Sequence, residues 1–171
     1  MTQAKKPKRP VQVPFSKEIE RKNNSNNREL NVSNSSNQFD ENIVKKIIQR
    51  LDSFKNGLQE YNIRNLVEDA ENFGPYLRKQ RLETNQIRKF LDAINRLKAD
   101  LAETGDFSKI ETEVVLLKPK LAYAAARQRA AKPLSEVMSK AINIVHNKDD
   151  FERLVQLIES IIAYHKAEGG K

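Results

Sequence analysis

The sequence predicts an all-α protein: a compact bundle of five to six helices preceded by a disordered basic arm. Apolar residues recur at helical spacing over most of the chain, whereas no stretch alternates cleanly between apolar and polar residues as a strand would. The 171 residues include only 5 Gly and 6 Pro, which is few for the many turns of a sheet protein. Helices are therefore the expected elements throughout.

Residues 1–39 differ in composition from the rest of the chain. They contain few large apolar side chains, many Asn, Ser, Lys and Pro residues, and an Asn-rich run at 23–27. Such a segment cannot bury enough apolar surface to offset the conformational entropy lost on folding. We expect a disordered basic arm over residues 1–39 and one helical bundle domain over residues 40–171.

Two helices are predicted at the start of this domain. Asp40 suits the N-cap of the first, whose apolar positions recur at helical spacing up to Gly57. The second is shorter: it contains Ile63 and Phe73 at its ends and is expected to stop at Gly74-Pro75, because Gly and Pro are the strongest helix-stop signals.

The middle of the chain predicts a third helix and an element interrupted by proline. Thr84 suits the N-cap of the third helix, which is expected to end near Gly105. A further helix covers about 107–117, after which Pro119 either kinks it or opens a new helix as its first residue. The apolar stripe of the third helix consists of Ile87, Phe90, Leu91, Ile94, Leu97 and Leu101.

Two more helices complete the predicted bundle. Pro133 opens one of them, since proline is favoured in the first helical turn. The last runs from Asp149 to about Ala167 and is closed by Gly169-Gly170. The inward-facing residues of the helix opened by Pro133 are Leu134, Val137, Met138, Ala141, Ile142 and Val145.

Several classes of function lack their sequence signals. The chain has no cysteine, no apolar run near the ~20 residues that cross a bilayer, and no signal peptide, so we expect a cytoplasmic protein without a membrane partner. No phosphate-binding glycine loop or metal-ligand spacing occurs, which predicts no cofactor, no metal site and no enzymatic activity. His146 and His165 lie near helix C-termini, where a partly charged imidazole is stabilised by the helix dipole, and a structural role is expected for both.

Positive charge is concentrated in particular segments. The formal net charge is +8, of which residues 1–39 contribute +5 through eight basic and three acidic residues. Residues 114–135 contain five Lys or Arg and no acid, whereas 99–113 contain five acids and one Lys. Segregated charge of this kind is typical of a surface that contacts a phosphate backbone, although solvated helix faces produce the same pattern.

Helical wheels place the basic residues on two surfaces. Arg88, Lys89 and Arg96 lie away from the apolar stripe of the third helix. Lys120, Tyr123 and Arg127 form a row at i, i+3 and i+7 beside a narrow small-residue face suited to close helix packing. Two cations around an aromatic ring can bind phosphates and stack a base. Alternatively, Tyr123 is a core residue and the long basic side chains extend around it to water. The residues of the small-residue face are Leu121, Ala124, Ala125 and Gln128.

Three stretches together resemble a known family. They are residues 82–90 (LETNQIRKF), 116–127 (LLKPKLAYAAAR) and, near the end, Phe151 with 158–166 (IESIIAYHK). Their order and spacing are similar to the small subunit of the type III-A (Csm) CRISPR interference complex, over roughly residues 64–168. One departure is Ala126, where the family often has Gly. A related small subunit of another type III subtype also fits the motifs.

The resemblance implies a specific function. Small subunits of this kind are non-catalytic helical bundles that line up head to tail as a short inner filament. Their basic faces hold the duplex of CRISPR RNA and target RNA, beside the RAMP-fold backbone subunits and the large polymerase-like subunit. By position, the expected RNA-binding residues are Arg88, Lys118, Lys120, Tyr123, Arg127 and Lys166. Charge alone adds Lys89, Arg129 and Lys132.

Two other functions fit the same residues. A helical adaptor that binds only protein partners would need neither basic row. A basic DNA-binding regulator would use the arm, but such a protein is expected to carry a recognition helix after a tight turn, and the sequence has no such signature.

Overall fold

A computed structural model of the chain describes residues 42–169. The predicted arm, the Asp40 cap and Gly170 lie outside the described residues. Within 42–169 the chain forms six α-helices and two short 3-10 turns, with no strand, so the predicted all-α class and helix number are confirmed. The helices are α1 (42–52), α2 (Ile63–Lys79), α3 (Thr84–Thr104), α4 (Ser108–Arg127), α5 (Lys132–Asn143) and α6 (Lys148–Ala167). The 3-10 turns are Leu58–Glu60 and Arg129–Ala131.

The bundle is organised around α6. This helix packs along α2 and also contacts α3, while α4 packs between α3 and α5. The predicted apolar stripes of α3 and α5 form the core between them, with Ile87, Ile94 and Val137 fully buried. No helix in the described part of the chain is both long enough and apolar enough to span a membrane.

Two prolines lie inside helices, and this corrects the expected ends. α2 continues through Gly74-Pro75 to Lys79, and α4 continues through Pro119 to Arg127, so neither proline stops or opens a helix. A proline removes the hydrogen bond to the carbonyl four residues earlier. Those carbonyls belong to Glu71 and Val115, which both lie on exposed faces where water can replace the bond.

Smaller differences concern helix starts and ends. α1 ends at residue 52, before Gly57, and Phe54 packs against the core from the following turn. Thr84 is the first helical residue of α3 and not its N-cap; it is buried and its hydroxyl has no partner among the described residues. Gly105 caps α3 in the left-handed conformation, as predicted.

Gly74 explains why α2 and α6 approach so closely. A Cβ atom placed on Gly74 would lie 2.6 Å from the backbone nitrogen of His165 and 2.7 Å from the Cβ of Tyr164. Any side chain would therefore push the two backbones apart. The Gly-Pro pair that local sequence signals mark as a stop is thus a packing site in the middle of a helix.

A buried carboxylate joins the start of α6 to the first 3-10 turn. Asp150 accepts hydrogen bonds from the backbone N–H of Gln59 at 2.8 Å and of His146 at 3.0 Å. Its own backbone N–H donates to the side chain of Asn147, the N-cap of α6. A negative charge in the first turn is also favoured by the helix dipole. Gly57, with φ of 125°, leaves the space that this carboxylate fills.

A second buried carboxylate holds α1 against α2. Asp69 pairs with Arg50 and accepts a hydrogen bond of 2.6 Å from the hydroxyl of Tyr61. Burial, together with the neighbouring Asp69 carboxylate, raises the pKa of Tyr61 well above its usual range. The phenol is therefore protonated near neutral pH and donates its hydrogen bond to Asp69.

His165 is a core residue whose charge state differs from the expected one. Its Nε2 lies 2.9 Å from the carbonyl oxygen of Leu82, to which it donates, and the side chain is fully buried. Burial lowers the pKa of His165, with a further contribution from the nearby Arg78 cation. Burial therefore disfavours the partly charged imidazole that the helix dipole alone would favour. The structural role is as predicted.

Gly74→Ala is expected to destabilise the bundle by about 1–3 kcal/mol, the usual cost of overpacking. The cause is the contact with Tyr164 and His165. The measurement is chemical denaturation followed by circular dichroism, with the exposed Glu71→Ala on the same helix as control. Helix propensity alone favours Ala over Gly by about 1 kcal/mol, so a stabilised Gly74→Ala protein would contradict the close approach.

Stability is expected to fall as the pH drops below about 6.5, because unfolded His165 takes up a proton there while the folded residue resists it. The contribution can reach at most about 1.4 kcal/mol per pH unit. Melting temperatures at pH 7.5, 6.5 and 5.5 measure the effect. His165→Gln should flatten this dependence, whereas the exposed His146→Gln should not; equal slopes in all three proteins would refute the assignment.

Candidate RNA-binding surface

A groove of about 570 Å³ runs between α3 and α4, with the start of α5 at one end. Its floor is apolar, and most of the side chains that form it belong to the buried core. Because three helices contribute these residues, the groove is a product of the packed bundle and not of one element. The apolar residues of the floor are Leu82, Phe90, Leu117, Leu121 and Leu134.

Three cationic side chains line this groove. Lys89 comes from α3, while Lys120 and Arg127 come from α4. No Asp or Glu lines it, and none of the three cations forms an ion pair with a carboxylate within residues 42–169. Unneutralised cations next to a low-dielectric wall attract anions more strongly than isolated surface charges do.

Tyr123 projects from the rim of the groove into solvent. Its side chain is 65% exposed, so the alternative that it is a core residue is wrong. Arg127 donates a hydrogen bond of 3.2 Å to the Tyr123 hydroxyl, and its guanidinium carbon lies 5.6 Å from the ring centre. The ring and the cation thus form one unit, held by a cation–π contact and available to a ligand.

The small-residue face of α4 does not pack closely as expected. Leu121 is buried, but Ala124 is exposed and lines the groove, while Ala125 is only partly covered. The chain leaves α4 at Gln128 through the 3-10 turn at Arg129–Ala131, and among residues 122–127 Ala125 alone is partly covered. The last turns of α4 are therefore mostly exposed.

The remaining predicted residues do not share this position. Arg129 and Lys132 follow the groove residue Arg127 in sequence, and both are exposed. Lys132 lies 3.8 Å from Glu136, and an exposed ion pair of this kind contributes little to stability. Arg88, Lys118 and Lys166 do not line the groove. Lys118 is half-buried and donates to the Asn143 side chain at the end of α5.

Sequence reasoning missed one wall residue and misplaced another. Gln86 lines the groove from α3, and its amide oxygen is buried without a hydrogen-bond partner in the described part of the chain. Gln128 also lines it, although the helical wheel assigned it to a packing face. The position of Gln86 beside the apolar stripe of α3 was the available signal, because a polar residue there must face a gap between helices.

The side of α4 opposite the core carries a second apolar stripe, the α4 outer stripe. Val115 is 51% exposed and Leu116 49% exposed. The helical repeat continues the stripe through exposed residues to the end of the helix. Apolar residues on both sides of one helix are a sign of two packing surfaces, of which residues 42–169 fill one. The stripe consists of Val115, Leu116, Pro119, Ala122 and Ala126, with Tyr123 at its edge.

The acid-rich segment around the turn from α3 to α4 is fully solvated. Asp100, Glu103, Asp106, Glu111 and Glu113 are all exposed. Within residues 42–169, no three His, Cys, Asp or Glu side chains come close enough together to hold a metal ion. Ser108 donates hydrogen bonds to the Asp106 carboxylate, and these bonds lower the pKa of Asp106. The two residues are neighbours in the turn, so this is a local interaction.

Comparison with known proteins agrees with the motifs in the groove helices. Residues 60–171 match the family described as Csm2 type III-A. A "CRISPR system Cms protein Csm2" from Streptococcus thermophilus is 30% identical over 105 residues, which cover 60% of this chain and 83% of that protein. No solved structure gives a significant match. Because the family match covers well over half of the chain, this protein belongs to the Csm2 type III-A family, the small subunits of the type III-A Csm complex.

Proposed function

We propose that this subunit binds the guide RNA–target RNA duplex through its basic groove and has no catalytic activity of its own. The observation that carries the proposal is that Lys89, Lys120 and Arg127, which two helices bring around one groove, have no carboxylate partner within residues 42–169. Arg129 and Lys132 extend the positive region beyond Arg127. We place this activity in the cytoplasm.

The mechanism is electrostatic. Cations that contact phosphates release condensed counterions, and this free energy does not depend on base identity. A subunit that must accept any guide sequence needs affinity of this kind, while base pairing between guide and target supplies specificity. Tyr123 adds a stacking surface that is equally tolerant of sequence.

Membership of the Csm complex implies contacts with other subunits, and two surfaces support specific proposals. The α4 outer stripe fits a protein neighbour, for which we propose the RAMP-fold backbone subunits or the large polymerase-like subunit. Along α4 an acidic end at Glu111 and a basic end at Arg127 are separated by about 24 Å. Opposite charges at two ends suit self-association head to tail into a short filament.

The α4 outer stripe also supports a competing function, a helical adaptor that binds only proteins. That protein would use the stripe and leave the groove empty. The two functions differ in one measurable respect, because only the RNA-binding subunit loses affinity for RNA when salt is raised.

Replacing both Lys120 and Arg127 with Ala should weaken binding to an RNA duplex without unfolding the bundle. Each lost phosphate contact should reduce the slope of log affinity against log salt by about 0.7–0.9. Both side chains are exposed, so stability should change by no more than about 0.5 kcal/mol. A binding titration at several salt concentrations and a melting curve give the two quantities.

The matched control is the pair Lys55→Ala and Arg64→Ala, which removes the same charge from exposed positions outside the groove. Its salt slope should stay close to that of the unmodified protein. Equal slopes in both double variants would mean that net charge alone drives binding. Unchanged binding by the Lys120, Arg127 variant would leave the face of Arg88, Lys89 and Arg96 as the RNA-binding surface.

Tyr123→Ala should leave stability within about 0.5 kcal/mol of the unmodified protein, because the side chain is largely exposed. A buried tyrosine would instead lose about 3 kcal/mol or more. RNA affinity should fall about 5-fold or more if a base stacks on the ring. Tyr123→Phe keeps the ring and should retain most of the RNA affinity. A Tyr123→Phe protein that binds RNA as weakly as Tyr123→Ala would show that the hydroxyl, and not the ring, contributes to binding.

A further inference from the structure

We propose that the groove holds one unpaired nucleotide of the bound RNA, with the base against the apolar floor and its phosphate at the cationic rim. This inference rests on the RNA-binding function proposed above and names the part of the RNA that the groove takes. The backbone of a fully paired duplex would contact the rim alone and leave the groove empty.

The shape of the groove favours a nucleotide over a phosphate. Phosphates need only exposed cations, and lysine and arginine on a convex helix surface provide them. Here the cations surround a concave space of about 570 Å³, within the range of sites that enclose small ligands. The floor, with Leu82, Phe90 and Leu121, offers an apolar surface to the flat face of a base.

The chemistry of the lining favours a nucleotide over an apolar protein segment. Three cations surround the opening and no carboxylate of residues 42–169 lines it, which favours an occupant that carries negative charge as well as apolar surface. A nucleotide combines both in one unit. The phosphate of a nucleotide lies at one end and its base at the other. In the groove, Lys120 and Arg127 lie at the rim, where the phosphate would bind, and the leucines lie at the floor, where the base would bind.

Gln86 gives the wall an unused hydrogen-bonding group. Its amide oxygen is buried without a partner in the part of the chain that the structure describes, and a buried acceptor that lacks a donor is unfavourable in proteins generally. An N–H group on the edge of a base would supply the missing donor after rotation of this flexible side chain. Gln128 lines the same groove and carries a second amide.

The test compares three RNA duplexes of the same sequence: fully paired, with one bulged adenosine, and with an abasic residue in the bulge. The abasic duplex has the same backbone distortion without the base. The full chain should bind the adenosine bulge about 5- to 10-fold more tightly than the abasic bulge, the size expected when one base stacks. Binding is measured by fluorescence anisotropy at low and moderate salt.

Ala124→Leu fills the groove without removing a charge, and it should reduce this preference to less than about twofold, since the base no longer fits. Ala93→Leu, from the opposite wall, gives the same test if the first variant does not fold. Ala102→Leu is the control: it lies on an exposed turn of α3 outside the groove and should keep the preference. A preference retained in the two groove variants would overturn the assignment to this groove.

The outcomes separate the two proposals. Salt-sensitive binding with equal affinity for the adenosine and abasic bulges would overturn this inference and leave the duplex-binding function intact. Failure to bind any of the three RNAs in a salt-sensitive manner would overturn the proposed function, and the nucleotide site with it.

Discussion

The contact between His165 and Leu82 ties the groove to the core of the bundle. Gly74 lets the backbone of α2 come against the last turns of α6, which brings the His165 ring beneath the turn between α2 and α3. The hydrogen bond from its Nε2 to the Leu82 carbonyl then holds that turn. Leu82 is itself a floor residue, and α3 starts two residues later. The position of the groove wall therefore depends on a glycine and a histidine that do not themselves line the groove.

The periodicity of the apolar residues predicts most of this fold. It identifies the buried faces of α3 and α5, because an amphipathic helix must place its stripe against a neighbour. Local signals fail where tertiary packing outweighs them. Pro75 and Pro119 each cost a hydrogen bond, but residues beyond them, such as Leu77 and Leu121, are buried because the helix continues, and their burial offsets this cost. Whether a proline ends a helix therefore depends on tertiary contacts, which the sequence of a single segment does not reveal.

The candidate site is predictable only in part for a similar reason. The row of Lys120, Tyr123 and Arg127 follows from helical geometry, and the structure keeps these residues on one side of α4. Lys89 joins this row because of the way α3 packs against α4. A helical wheel describes one helix and therefore cannot predict this packing. The exposure of Tyr123 likewise depends on the path of α5, since a neighbour over the last turns of α4 would have buried the ring.

α4 presents three different surfaces around one helix, and their arrangement limits how the subunit can work. One side is core, one edge carries the cations of the groove, and the outer stripe remains apolar and uncovered. Tyr123 lies between the last two, at the edge of both. A ligand in the groove and a protein on the stripe would therefore meet at this ring. If the two surfaces bind as proposed above, both partners would contact this side chain, so a substitution of Tyr123 would act on RNA binding and on subunit contact together.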